Sequence, residues 1–128
     1  MAFEATPSSG HTITINTGRG AGSAGTGPEP LELVLLAVGA CVGMDVISIL
    51  RKKRQTVTGY TINVFANQAR EHPRVYTEIM VEHLLTGSKV DPRAVARSIE
   101  LSITKYCPVN AMLRSSVKIE NVYRIIEG

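Results

Sequence analysis

Two cysteines, Cys41 and Cys107, are the residues of this chain whose side chains are best suited to chemistry. They are far apart in the sequence, and neither belongs to a CxxC motif of the kind found in zinc sites and thioredoxin-like proteins. Two cysteines are too few for a disulfide-stapled scaffold, and a cytosolic setting would keep a purely structural bridge reduced. The first hypothesis is therefore a function that centres on a pair of reduced thiols.

The histidines offer no second kind of site. His11, His72 and His83 lie in separate predicted strands or a turn, and none has the HxxH or HExxH spacing of metal ligands. The sequence thus predicts that the protein binds no metal. For His83, we interpret the strand pattern as placing the ring on the sheet surface.

Cys41 has two interpretations from the residues around it. It lies in an apolar segment between Ala40 and Val42, with Gly39 and Gly43 close by, where another backbone segment can approach. Free cysteine is among the most frequently buried residue types, so inert packing in the core explains its presence without any chemistry. A reactive thiol is the alternative, and the local sequence leaves both open.

Cys107 lies at the start of a predicted short helix over Pro108–Leu113, just after a preceding helix that ends near Tyr106. A cysteine at this N-cap position faces the backbone N–H groups of the first turn, which favour an anion. The position therefore predicts a lowered pKa for the Cys107 thiol and a reactive side chain.

The elements that position the two thiols follow from hydrophobic periodicity. Pro30 suits the first turn of a helix that continues through Cys41 to about Arg54 and is apolar nearly all round. A second helix is predicted over Arg93–Lys105, with Asp91 as its N-cap. Alternating segments predict four strands, at His11–Asn16, Tyr60–Gln68, Val75–Leu85 and Val117–Ile126. The pattern predicts one α+β domain over residues 1–128, in which the second and third strands form an antiparallel hairpin.

The composition gives little support to binding of nucleic acid. The net charge is +3, the aromatic content is 5% and there is no tryptophan for base stacking. The basic run at residues 51–54 is interpreted as a cap on the dipole of the long helix. The glycine-rich segment Gly18–Gly27 lacks the Lys-Ser/Thr end of a phosphate-binding loop and is interpreted as a flexible or ligand-covering loop.

No part of the sequence favours membrane insertion or export. The apolar segment Leu31–Leu50 is long enough to span a bilayer, but Glu32 and Asp45 lie inside it, which favours a buried helix. The first ten residues lack the basic patch and apolar run of a secretory signal. A cytoplasmic location is therefore predicted.

The segments around both cysteines resemble the OsmC and organic hydroperoxide resistance (Ohr) superfamily. The resemblance is carried by residues 30–41, which read PLELVLLAVGAC, and by residues 105–111, which read KYCPVNA. It covers about Gly10–Ile126 and is strongest for the uncharacterised OsmC-like subgroup, which residues 45–50 and 95–97 also match.

This resemblance implies both a fold and an activity. The implied fold is α+β, with antiparallel sheets of both chains wrapped around two central helices in an intertwined homodimer, and with each active site at the subunit interface. The implied activity is that of a thiol peroxidase. In it Cys41 attacks an organic hydroperoxide to become a sulfenic acid, and Cys107 resolves that acid to a disulfide. A dithiol then supplies electrons, and neither a metal nor an organic cofactor takes part.

The resemblance identifies less clearly which residue supplies the cation that would activate Cys41. The superfamily uses an arginine held by a glutamate that directly follows the first proline of the helix, whereas here Leu31 occupies that place and Glu32 comes next. Glu32 is the candidate for the glutamate that holds the arginine, and Glu29 is the fallback candidate. Arg19 is the candidate arginine, being the arginine that precedes the helix, although the first strand of the family appears shortened.

Two functions are therefore predicted. The first is an organic hydroperoxide reductase with Cys41, Cys107, Glu32 and Arg19 as its site. The alternative is a non-enzymatic OsmC-like protein that binds a small hydrophobic ligand at the dimer interface. An apolar helix around Cys41 suits alkyl or lipid-like molecules in either case.

Overall fold

The structure is a computed structural model that describes residues 1–16 and 25–128. These residues form two compact units, Met1–Leu36 and Ala37–Gly128. Most of the predicted glycine-rich loop, including Arg19, lies outside the described residues. The prediction for that loop therefore stays a prediction.

The first unit contains a short antiparallel hairpin of β1 (Ala2–Ala5) and β2 (Ile13–Asn16). Strand β2 confirms the last four residues of the strand predicted at residues 11–16, while β1 was not predicted. Four residues of mixed polarity such as those of β1 are too short for an alternating pattern to be recognised. The first turns of helix α1 complete this unit.

Helix α1 spans Pro30–Lys52, close to the predicted bounds. In the second unit its buried side chains recur at intervals of four residues, at Val38, Val42, Val46 and Leu50, each with 0% exposure. The opposite side of the helix is exposed and includes Ala40 and Met44. Because α1 is long and apolar, it passes a length and hydropathy test for a membrane span, which core helices also pass. The burial of one face agrees with the predicted core helix.

Two glycines bring α1 close to the sheet. A Cβ atom at Gly39 would lie 2.7 Å from Cγ2 of Val64, and one at Gly43 would overlap Cδ1 of Ile62. Contacts this short would force the Val64 and Ile62 side chains to shift, so the absence of a Cβ at both glycines lets the helix pack at its observed depth. The close approach beside Cys41 is made by side chains of the sheet, whereas the approach of another backbone segment was predicted from these glycines.

The sheet of the second unit has the order β3 (Thr56–Gln68), β4 (Tyr76–Ser88) and β5 (Lys118–Glu127). Strands β3 and β4 form the predicted antiparallel hairpin. The α+β class is confirmed, but the expectation of purely antiparallel sheets is wrong for this sheet, because β5 is parallel to β4. A parallel pair needs a crossover, and the helices between β4 and β5 supply it.

The crossover consists of α2 (Pro92–Leu101), a π-helical turn (Ser102–Tyr106) and α3 (Pro108–Leu113). Asp91 caps α2 as predicted, because its carboxylate accepts a hydrogen bond of 2.9 Å from the N–H of Arg93. The single α-helix predicted over residues 93–105 is wrong in its last four residues, 102–105. There the backbone widens into the π-helical turn, which places Cys107 at the start of α3.

Candidate functional site

The two cysteines meet in the second unit. The Sγ atoms of Cys41 and Cys107 are 2.8 Å apart, although the residues are separated by 66 positions in the sequence. Both are free thiols, and Cys41 is half-buried whereas Cys107 is only 3% exposed. Helix α1 carries the first thiol and the N-cap of α3 carries the second. The fold therefore brings together the two residues that the sequence singled out.

Cys107 is the N-cap of α3, as predicted, and its sulfur accepts a hydrogen bond of 3.3 Å from the N–H of Asn110. The predicted lowering of its pKa is wrong. Burial and the neighbouring Cys41 together raise the pKa of the Cys107 thiol to about 11, although the N–H groups of Asn110 and Val109 act in the opposite direction. Loss of water around a thiolate costs more than two backbone N–H groups recover.

The raised pKa of Cys107 makes the two thiols different from each other. Cys107 keeps its proton at neutral pH and donates it in a hydrogen bond to the sulfur of Cys41. Cys41 is therefore the sulfur that receives hydrogen-bond support, and it is also the more exposed of the two. Cys41 is thus the more accessible sulfur, and Cys107 lies beside it as a protonated thiol.

Apolar side chains surround the pair. Cys107 belongs to the main buried cluster of the second unit, and Cys41, Ile103 and Val109 pack against that cluster. Within residues 1–16 and 25–128, no group of three or more His, Cys, Asp and Glu side chains could hold a metal ion. The chemistry available from these described residues is thus that of two thiols in a largely apolar setting.

Glu32 caps its own helix. Its carboxylate accepts a hydrogen bond of 2.8 Å from the backbone N–H of Glu29, three residues earlier. This is one half of a capping box, and it satisfies an N–H that precedes the first turn. The fallback candidate, Glu29, supplies the N–H of this bond. Both belong to the first unit, and Arg19 lies outside the described residues, so their predicted roles at Cys41 stay predictions.

A second polar feature of the site was not predicted. Asp45, one turn after Cys41 on α1, accepts a hydrogen bond of 2.7 Å from the hydroxyl of Ser102 at the start of the π-helical turn. Ser102 is fully buried. The signal in the sequence was an acidic residue inside an apolar helix, which served as an argument against a membrane span and as part of the family resemblance but not as a site residue.

His83 is part of a buried hydrogen-bonded chain across the three strands of the sheet. Its Nε2 lies 2.8 Å from Oδ1 of Asn121, and its Nδ1 lies 2.6 Å from the hydroxyl of Tyr60. Because an amide oxygen only accepts, Nε2 carries the proton and Nδ1 accepts from Tyr60. The expectation of a surface histidine is wrong, since His83 has 0% exposure. It lies on the face of β4 that points into the core.

Acid should destabilise the protein through His83. Burial lowers the pKa of His83 relative to its ordinary value, so the folded state favours the neutral ring. The unfolded chain therefore binds more protons as the pH falls below about 6.5, the ordinary histidine value. We expect the free energy of unfolding in urea to decrease from pH 7.5 to pH 5, by at most about 1.4 kcal/mol per pH unit from this residue.

The matched variants are His83→Gln, which cannot titrate, and His72→Gln, which changes an exposed histidine of the turn before β4. The pH dependence should become shallower in His83→Gln and remain as in the wild type in His72→Gln. Equal slopes for the wild type and His83→Gln would show that His83 does not carry the effect.

Comparison with known proteins agrees with this architecture. The sequence model of the family described as OsmC-like protein matches residues 21–121. Protein YhfA of Escherichia coli is 36% identical over 126 residues, covering 98% of this chain and 91% of YhfA.

The crystal structure of a hypothetical protein from Aquifex aeolicus has a TM-score of 0.84 at 31% identity, covering 99% of this chain and 89% of that one. The organic hydroperoxide resistance protein OhrB of Bacillus subtilis shares the fold, with a TM-score of 0.62 at 14% identity over 97% of this chain and 96% of OhrB. The resemblance seen in the sequence is thus confirmed, and the chain belongs to the family of OsmC-like proteins.

Proposed function

We propose that this protein is a thiol peroxidase that reduces organic hydroperoxides. The observation that carries the proposal is the 2.8 Å separation of the Cys41 and Cys107 sulfurs, within reach of a disulfide after a small movement. The likeness in fold to OhrB of Bacillus subtilis supports it. The name of YhfA, at 36% identity, states no activity, so the activity itself is our proposal.

In the first step the sulfur of Cys41 attacks the terminal oxygen of the hydroperoxide. The O–O bond breaks, the sulfur is oxidised to a sulfenic acid, and the leaving alkoxide takes up the thiol proton to become an alcohol. Cys41 is suited to this step because it is more exposed than Cys107.

In the second step Cys107 attacks the oxidised sulfur. The S–S bond forms as the S–O bond breaks, and the hydroxyl group leaves with the Cys107 proton as water. An external dithiol then restores both thiols by two exchange reactions. Metals and organic cofactors have no part in this cycle.

The apolar surroundings of the thiols favour alkyl hydroperoxides over small polar ones. We also propose, from the family resemblance, that two copies form a homodimer in the cytoplasm and that Arg19 and Glu32 assist Cys41. Exposed apolar side chains on both cysteine-bearing helices support the homodimer, because a second copy of the chain would cover them. Met44 on α1 is 71% exposed and Met112 on α3 is 69% exposed.

The direct test adds one equivalent of cumene hydroperoxide to the fully reduced protein and follows free thiols and peptide masses. We expect both thiols to disappear and a Cys41–Cys107 bridge to form, and the same amount of hydrogen peroxide to act more slowly. Cys41→Ser serves as the control and should consume no cumene hydroperoxide. Thiols that survive excess cumene hydroperoxide would overturn the proposal.

The alternative is a binding protein for a small hydrophobic molecule, with cysteines that are at most slowly redox-active. The exposure of Met44 and Met112 favours it, because methionine adapts to varied apolar ligands. A binder would leave its thiols reduced in the peroxide test and would retain a fluorescent fatty-acid probe in a Cys41→Ser variant as well as in the wild type.

A further inference from the structure

Three groups of Ser102 make hydrogen bonds beside the thiol pair: its backbone N–H, its carbonyl and its hydroxyl. Its backbone N–H donates to the carbonyls of Ile99 and Ser98 in α2, and its own carbonyl accepts the N–H of Cys107 at 2.8 Å. Its hydroxyl donates to Asp45 at 2.7 Å. With 0% exposure, Ser102 is held from all these directions. Its position therefore sets where the backbone of Cys107 lies.

Asp45 connects this point to the other cysteine. It follows Cys41 by four residues on α1, so both side chains lie on the same face of the helix, one turn apart. The Asp45–Ser102 hydrogen bond thus joins the helix that carries one thiol to the segment that carries the other. The thiol–thiol contact of 2.8 Å lies one helical turn away.

The segment between Ser102 and Cys107 joins the two cysteine-bearing parts of this site. It is a π-helical turn of five residues that continues directly from α2. Turns of this kind are rare and are frequently found at functional sites. Within it, the hydrogen bond of Cys107 N–H spans five residues back to Ser102. Any shift of Ser102 would therefore move the Cys107 thiol relative to Cys41.

We propose that Asp45 is a positioning residue, which acts through Ser102 to hold Cys107 for attack on the oxidised Cys41. This inference rests on the proposed peroxidase cycle and assigns Asp45 to its second step. Asp45 does not touch the reacting sulfur of Cys107. It speeds formation of the S–S bond and release of water by keeping the Cys107 sulfur in line, and leaves the first reaction of Cys41 with peroxide unaffected.

The first test measures the two steps separately in Asp45→Ala. After one equivalent of cumene hydroperoxide, the rate of hydroperoxide loss reports the first step, and the rate at which the bridged peptide appears reports the second. We expect the second rate to fall about tenfold, the size of one net hydrogen bond, with the first rate unchanged. The Cys41 sulfenic acid should accumulate and react with dimedone.

Three further variants separate positioning from general damage. Asp45→Asn retains an oxygen that accepts from Ser102 and should restore most of the second rate. Ser102→Ala removes the same bond from the other partner, so it should behave as Asp45→Ala does and add little to it in the double variant. Thr104→Ala, in the same π-helical turn, removes a hydroxyl hydrogen bond of 2.7 Å to the backbone carbonyl of Glu100 in α2 and should leave both rates unchanged.

A second measurement does not depend on peroxidase activity. Equilibration of each folded variant with reduced and oxidised glutathione gives the effective concentration of the Cys107 thiol at Cys41. We expect about a tenfold decrease in Asp45→Ala and wild-type values in Asp45→Asn. This result would support the positioning role of Asp45 even if the wild type failed to reduce cumene hydroperoxide. Such a failure would overturn the proposed function and leave the positioning role in place.

An unchanged effective concentration in Asp45→Ala and Ser102→Ala would overturn the inference. Equal slowing of both steps would also overturn it, because that pattern indicates a role at Cys41 or loss of structure. If Asp45→Ala does not fold, Ser102→Ala with Ser102→Thr as the conservative partner decides the question by the same two measurements.

Discussion

Cys41→Ser is expected to slow the loss of cumene hydroperoxide by about a thousandfold or more, the scale on which removal of a nucleophile acts. Cys107→Ser is expected to leave the first reaction nearly intact. In that variant one thiol should be lost per hydroperoxide, no bridge should form, and the Cys41 sulfenic acid should persist long enough for dimedone to trap it. Stopped-flow kinetics of a single turnover and intact mass measure these results.

The two variants are expected to differ because Cys107 is a buried, protonated thiol whereas Cys41 is the more exposed sulfur. Burial and the contact with Cys41 raise the pKa of Cys107 to about 11, so its thiolate fraction at neutral pH is very small. Cys41 is the more exposed sulfur. Both variants should fold, since serine is isosteric with cysteine and is itself a favoured N-cap at position 107.

The reversed pattern would contradict the assignment of roles. If Cys107→Ser abolished the first reaction while Cys41→Ser retained it, Cys107 would be the attacking thiol. Loss of the first reaction in both variants would indicate that the hydrogen bond between the two sulfurs is needed for the attack itself.

Gly87→Ala is expected to destabilise the fold by about 3 kcal/mol, at the upper end of the cost of overpacking. A Cβ atom at Gly87 would overlap the backbone carbonyl of Thr56 and would lie 2.7 Å from Cγ2 of Val90. The Thr56 carbonyl belongs to the neighbouring strand and cannot rotate away as a side chain would. Urea unfolding followed by circular dichroism measures the change.

Gly59→Ala is the matched control in the same pair of strands. There the atom nearest to a new Cβ is Cβ of Thr86 at 3.6 Å, an ordinary contact. The substitution should be neutral or stabilise the protein by about 0.5 kcal/mol, because alanine restricts the unfolded chain. Similar effects of the two substitutions would show that strand propensity, and not the Thr56 carbonyl, sets the cost at position 87.

Much of the local structure was predictable because it depends on short-range rules. Pro30 and Pro108 mark the starts of α1 and α3, and Asp91 and Cys107 are N-caps, as their residue types predict. The β3–β4 hairpin follows from alternation. The missed elements were the four-residue β1 and the π-helical turn, whose patterns are too short to be recognised.

The sequence by itself determined which residues are candidates for chemistry: two cysteines without local partners, one in an apolar helix and one at a helix start. Only the tertiary structure decided how they behave. The mixed sheet and its helical crossover bring sulfurs 66 positions apart to 2.8 Å. Burial raises the pKa of Cys107 despite its N-cap position and encloses His83 between Tyr60 and Asn121. Desolvation and long-range contacts depend on which segments pack together, and local sequence does not record that.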